Sequence, residues 1–122
     1  MSEDFERLAP QVARALDQAW GYTLDDVRVA VESGKMQLWP GQKSAIITQV
    51  LERPQGRELY FFLAAGDMEE VQRLYKIVIA WGQSKGCKHA AFVGRRGWSK
   101  SFLTREEGWK AKHVVYEREI TP

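Results

Sequence analysis

The sequence predicts one α/β domain over residues 1–122, a mixed sheet with helices on both faces in the order α-α-β-β-β-α-β-α-β. Three adjoining stretches predict it. Residues 57–66, Arg57-Glu-Leu-Tyr-Phe-Phe-Leu-Ala-Ala-Gly66, are a short apolar and aromatic run with the composition of a buried strand. Residues 67–86 place Met68, Val71, Leu74, Tyr75, Val78, Ile79 and Trp81 at the three-and-four spacing of an amphipathic helix. Asp67 stands where an N-cap belongs, and Gly86 where a C-terminal glycine belongs. His89 to Val93 is a second buried strand. Strand, helix and strand make a βαβ unit, with parallel strands and the helix laid over one sheet face.

The remaining elements follow in order. Phe5, Leu8, Val12, Leu16 and Ala19 or Trp20 recur at helical spacing, and Gly21 closes the pattern. Pro10 is expected in that helix's first turn, or the helix begins after it. Thr23 caps a second helix carrying Val27, Ala30 and Val31, which ends at Gly34. Met36 to Trp39 is a brief strand, and Pro40-Gly41 a turn. Ser44 to Leu51 is a central strand, joined by the turn Pro54-Gln-Gly56 to the strand at 57–65 in a hairpin. Beyond the βαβ unit, Trp98 to Thr104 is a short helix with Trp98, Phe102 and Leu103 on its apolar side. Gly108 breaks it, and Trp109 to Ile120 alternates as a closing strand.

Composition sets limits. The 122 residues are 44% hydrophobic and 28% charged, the balance of a soluble globular domain. No apolar run nears the roughly 20 residues of a membrane helix, and no signal peptide is expected in residues 1–20. The single cysteine, Cys87, allows no internal disulfide and reads as a half-buried structural thiol. His89, His113 and Cys87 fall in no metal-ligand spacing, and there is no P-loop.

Net charge is +2 but unevenly spread. Seven acids stand against three arginines in residues 1–34, while residues 85–112 hold eight bases against Glu106 and Glu107. Within the basic segment, Arg95, Arg96, Trp98 and Lys100 combine guanidinium groups with an indole beside a helix start. That set can anchor a protein partner, or hold phosphates while Trp98 stacks on a base. The alternative is a core Trp98 with solvated arginines.

The element order, the segment Gly86-Cys87-Lys-His-Ala-Ala-Phe-Val-Gly94 and the pair Gly108-Trp109 resemble the N-acetyltransferase fold of the GNAT superfamily. The resemblance puts the meander at 36–65, the long helix at 67–85, the parallel strand at 88–93, the short helix at 97–104 and the closing strand at 109–119. The family's first strand has no counterpart before Phe5. Two segments, 38–50 and 94–100, further resemble small GNAT-like proteins of tailed bacteriophages, some of them virion or assembly components.

The resemblance implies acetyl-coenzyme A, whose pyrophosphate sits on a Gln/Arg-x-x-Gly-x-Gly/Ala loop at the long helix's N-terminus. The matching stretch here is Leu63-Ala-Ala-Gly66-Asp67-Met68-Glu69-Glu70, with one glycine, no arginine and three acids. No cofactor-binding residue is expected, and Gly66 and Asp67 are candidates only if the chain is an acetyltransferase. The family's acid tyrosine would fall at Thr104, with Phe102 nearest and Tyr116 displaced. Glu52, Glu58 and His89 are candidate bases, and none earns a catalytic assignment from sequence. The expectation is therefore a non-catalytic binding or structural protein with no cofactor. Its partners would be proteins of a phage particle or a second copy of itself, and its place the cytoplasm of a bacterial host or the virion. An acetyl-CoA-dependent acetyltransferase and a nucleic-acid-binding module using residues 85–112 are the alternatives, and no membrane partner is expected.

Overall fold

The computed structural model describes residues 3–16, 20–94, 98 and 101–120. The chain divides into two compact units, residues 1–92 and 93–122.

The first unit opens with α1 (Glu3–Ala15), whose Phe5, Leu8 and Val12 form one buried stripe. Pro10 lies well inside this helix, not in its first turn. An interior proline costs about 3 kcal/mol. Pro10 is exposed, and the cost is offset by burial of Phe5 and Leu8, each contributing about 1.5–3 kcal/mol. Arg7 adds hydrogen bonds to the carbonyls of Gln42 and Gly41.

The second helix, α2 (Leu24–Glu32), begins at a capping box. Thr23 Oγ1 accepts from the Asp26 N–H, and an Asp26 carboxylate oxygen accepts from the Thr23 N–H. Both bonds hold the Asp26 carboxyl below its usual range. Arg28 reaches across to Glu6 and locks α2 against α1.

The sheet has strand order β1 (Gln37–Pro40), β2 (Ala45–Arg53), β3 (Gly56–Ala65), β4 (Cys87–Ala91). β1–β2 and β2–β3 are antiparallel hairpins, and β3–β4 is parallel. Between β3 and β4 runs α3 (Met68–Ser84), the crossover helix. The sheet's two faces carry different helices. On one, Phe5, Leu8, Val12 and Val27 pack with Met36, Ala45, Ile47 and Leu63. On the other, Phe61 stacks on Tyr75 and Trp39 meets Trp81 edge-on, so α3 covers that side. Gly82 of α3 sits so close that a Cβ there would lie 2.7 Å from Leu59 Cδ2.

A β-bulge separates the two halves of β3. Ile47 opposes Leu63 and Thr48 opposes Phe61, leaving Phe62 as the surplus residue. Phe62 and Leu63 consequently pack into the same cluster under α1 and α2, with Phe62 4.7 Å from the Tyr22 ring.

The second unit holds α4 (Phe102–Glu106), shorter and later than the expected 98–104. Ser101 sets its start, because Ser101 Oγ accepts from the Leu103 N–H and donates to the Trp98 carbonyl. Residues 109–120 form no strand, contrary to the alternation that predicted a closing one. Val114, Val115, Tyr116 and Ile120 are exposed. Alternation marks a strand only where one face is covered, and neither residue set of this segment is buried.

Candidate functional site at the parting of the parallel strands

The parallel pair β3–β4 is short. Its register runs from Arg57↔Cys87 through Glu58↔His89 and Leu59↔Ala90 to Tyr60↔Ala91, where β4 ends. β3 continues to Ala65, held on its other side by β2 through Ala45↔Ala65. Residues 62–65 thus have no strand neighbour on the β4 side among the described residues. The bulge at Phe62 falls at the same point. The chain leaves β3 through Gly66 and enters α3, so the parting opens toward that helix's N-terminus.

At this terminus the first-turn N–H groups have no intrahelical acceptor. Asp67 is the N-cap residue with extended backbone, yet its side chain makes no capping hydrogen bond. Glu69 and Glu70 lie in the first turn. Glu70 is turned away, toward the 41–44 turn between β1 and β2. Its carboxylate accepts from the hydroxyl of Ser44 and, at 2.9 Å each, from the N–H groups of Lys43 and Gln42. Those donors, Ser44 foremost, hold the Glu70 carboxyl at about 2. The turn lies beside β2, across β3 from the parting. Of the three acids expected to crowd the helix terminus, one therefore points to the 41–44 turn, its charge kept and hydrogen-bonded there.

Gly66 has φ +109, and a Cβ on it would lie 2.3 Å from the Lys43 carbonyl oxygen. Its missing side chain lets the same turn close against α3. Leu63, at the position where the resemblance expects Gln or Arg, is buried in the cluster under α1.

At the closed end of the parting, Glu58 is 8% exposed and accepts from Arg53 at 2.9 Å. His89 Nδ1 lies 3.1 Å from the other Glu58 oxygen. Glu58 and Tyr60 alternate with Leu59 and Phe61, so they share the sheet face opposite α3. Glu52 is engaged by Arg57 at 2.9 Å on the surface. Structure thus joins two of the candidate bases, Glu58 and His89, and separates the third.

The acid candidates fare differently. Thr104 Oγ1 donates to the Ser101 carbonyl, Phe102 is buried, and Tyr116 is 90% exposed. Cys87 is half-buried, and burial pushes its thiol up, as expected of a structural cysteine. Among the partner-binding candidates, Trp98 lies within the described residues, and Arg95, Arg96 and Lys100 lie outside them. No metal-ligating cluster occurs among the described residues, and no helix is long and apolar enough to cross a membrane. Sequence reasoning missed the Glu70 clamp and the bulge. Gly66 followed four residues later by Glu70 was its only local trace.

No family model and no curated protein matches the chain. Solved structures do. An aminoglycoside acetyltransferase from an uncultured soil metagenomic sample, solved with sisomicin, superposes with a TM-score of 0.71 at 10% identity, over 96% of this chain and 88% of that one. A Trypanosoma brucei acetyltransferase gives 0.70 at 9% identity, over 98% and 95%. Glucosamine-6-phosphate N-acetyltransferase from Arabidopsis thaliana gives 0.65 at 9% identity, over 95% and 92%. The chain has the mixed α/β fold of GNAT acetyltransferases.

Proposed function

We propose that the chain is a coenzyme A-dependent N-acetyltransferase of divergent sequence, in place of the non-catalytic protein expected from sequence. The carrying observation is the parting of β3 from β4 beyond Tyr60 and Ala91, beside the open first turn of α3. An exposed strand edge accepts an extended, amide-bearing chain through main-chain hydrogen bonds. A helix N-terminus receives phosphate through its N–H groups.

The residues present fit such a cofactor. Backbone of Phe62 to Ala65 would take its extended arm, and the N–H groups of Met68 and Glu69 its pyrophosphate. Glu70 keeps its charge but turns its carboxylate to Ser44 and the 41–44 turn, away from those N–H groups. Bound there, the thioester supplies an activated acetyl group. Glu58, two positions before the parting, takes the amine's proton in this reading. Arg53 and His89 hold its carboxylate in place.

Isothermal calorimetry with acetyl-coenzyme A tests the proposal. Saturable heat is expected, together with thermal stabilisation that grows with ligand concentration. No heat at millimolar ligand overturns it.

A second reading keeps the scaffold and drops the chemistry. It is favoured by Leu63 in place of a polar loop residue and by Glu69 in the first turn of α3. The chain would then act through Arg95, Arg96, Trp98 and Lys100 on a protein partner, a second copy or a nucleic acid. Affinity that falls steeply with salt would point to nucleic acid. The phage setting gains no support from the structural relatives named above.

A further inference from the structure

The outer edge of β1 is a walled groove. A hollow of about 530 Å³ runs along it, floored by residues 36–40. On one side stand Asp4 of α1 with Val31 and Glu32 of α2, and on the other Trp81 of α3. The hydrogen-bond pattern shows which backbone groups face it. Gly41 N–H donates to the Ser44 carbonyl at 2.8 Å, which makes that facing pair a bonded one. Bonded pairs recur every second residue in an antiparallel ladder. Trp39↔Ile46 and Gln37↔Thr48 therefore bond inward, and Leu38 turns both its N–H and its C=O outward. Pro40 shares that outward phase, where its missing N–H costs the sheet nothing. The Met36 N–H is already taken by the Ala30 carbonyl at 3.0 Å. One complete donor–acceptor pair, at Leu38, is left open to the groove.

The walls specify the guest. An added strand sends alternate side chains to the two faces. One set would meet Glu32, which makes no ion pair among the described residues, and Asp4, which already holds Arg7. The other set would meet Trp39 and Trp81. Trp39 is fixed by its Nε1–H bond of 3.0 Å to Thr48 Oγ1. Trp39 and Trp81 meet edge-on at 5.3 Å, an aromatic wall that takes apolar side chains. We propose that this groove docks an extended segment of another protein, rich in lysine or arginine alternating with apolar residues, as a fifth strand on β1.

The probe is a short capped peptide alternating lysine and valine, titrated into the isotopically labelled full chain and followed by NMR. Expected are saturable shifts at the Leu38 amide and at the indole N–H signals of Trp39 and Trp81. Glu32→Lys, an exposed change, should weaken binding about fivefold. Absence of shifts at millimolar peptide overturns the proposal, as do equal shifts from the glutamate–valine counterpart. Shifts at Leu38 that follow protein concentration alone would assign the groove to a second copy and overturn it too.

Discussion

Glu70, in the first turn of α3, accepts a hydrogen bond from the hydroxyl of Ser44, a fully buried residue just before β2. With the Lys43 and Gln42 N–H groups it completes a clamp that ties the crossover helix to the β1–β2 turn. Its carboxyl is held at about 2, against an ordinary 4.5. A folded-state value below the unfolded one stabilises the fold above the unfolded value, and that stabilisation is lost as pH falls toward the folded value. Wild type should therefore lose stability between pH 4.5 and about 2 more steeply than Glu70→Gln. Denaturant midpoints measured across that window check it. Parallel pH profiles would deny the clamp.

Two glycines with positive φ should respond differently to the same change. At Gly66 a Cβ meets backbone of Lys43 and Ser44, whereas at Gly86 it meets nothing within 4 Å. Gly86→Asn should cost about 1 kcal/mol, and Gly66→Asn at least about 3 kcal/mol. Urea unfolding of the two variants gives the comparison.

Thr48 is fully buried and accepts from the Trp39 indole N–H while donating to Gln37 Oε1 at 2.8 Å. Thr48→Val keeps the shape and removes both bonds. A loss of about 1–3 kcal/mol is expected, with a change in tryptophan fluorescence as Trp39 loses its anchor. Unchanged emission and stability would mean that the indole has another partner.

Glu69 shares the first turn of α3 with the proposed pyrophosphate site. Glu69→Gln should cost the helix about 0.3–1 kcal/mol while raising coenzyme A affinity roughly two- to fivefold. Opposed changes in melting temperature and calorimetric affinity are the signature. A fall in both would place the cofactor elsewhere.

The legible parts of this fold are those written in local periodicity. The predicted long helix, 67–85, is found as Met68–Ser84, and Thr23 and Asp67 stand at the N-caps where they were read. Both hairpins form at Pro40-Gly41 and Pro54-Gln-Gly56, because turn chemistry is a property of neighbouring residues. The site was harder to read. The pull of Ser44 on Glu70 spans 26 residues. Counted along the sequence, Glu70 is simply a third acid at a helix start. The end of β4 at Ala91 was also hidden, since Phe92 and Val93 are as strand-prone as the residues before them. For 109–120 the pattern was present and its covering partner was not.

The surplus residue Phe62 re-phases β3. Up to Phe61, odd-numbered side chains serve the layer beneath α3, and from Leu63 onward they serve the opposite layer. Deleting Phe62 would set Leu63 directly after Phe61 in ordinary alternation, each on its present face, and would remove the ring that meets Tyr22 in the layer under α1 and α2. A single extra peptide unit thus lets two consecutive apolar side chains enter the same layer, and shortening the strand by that unit should cost one aromatic's packing while the pairing on either side keeps its register.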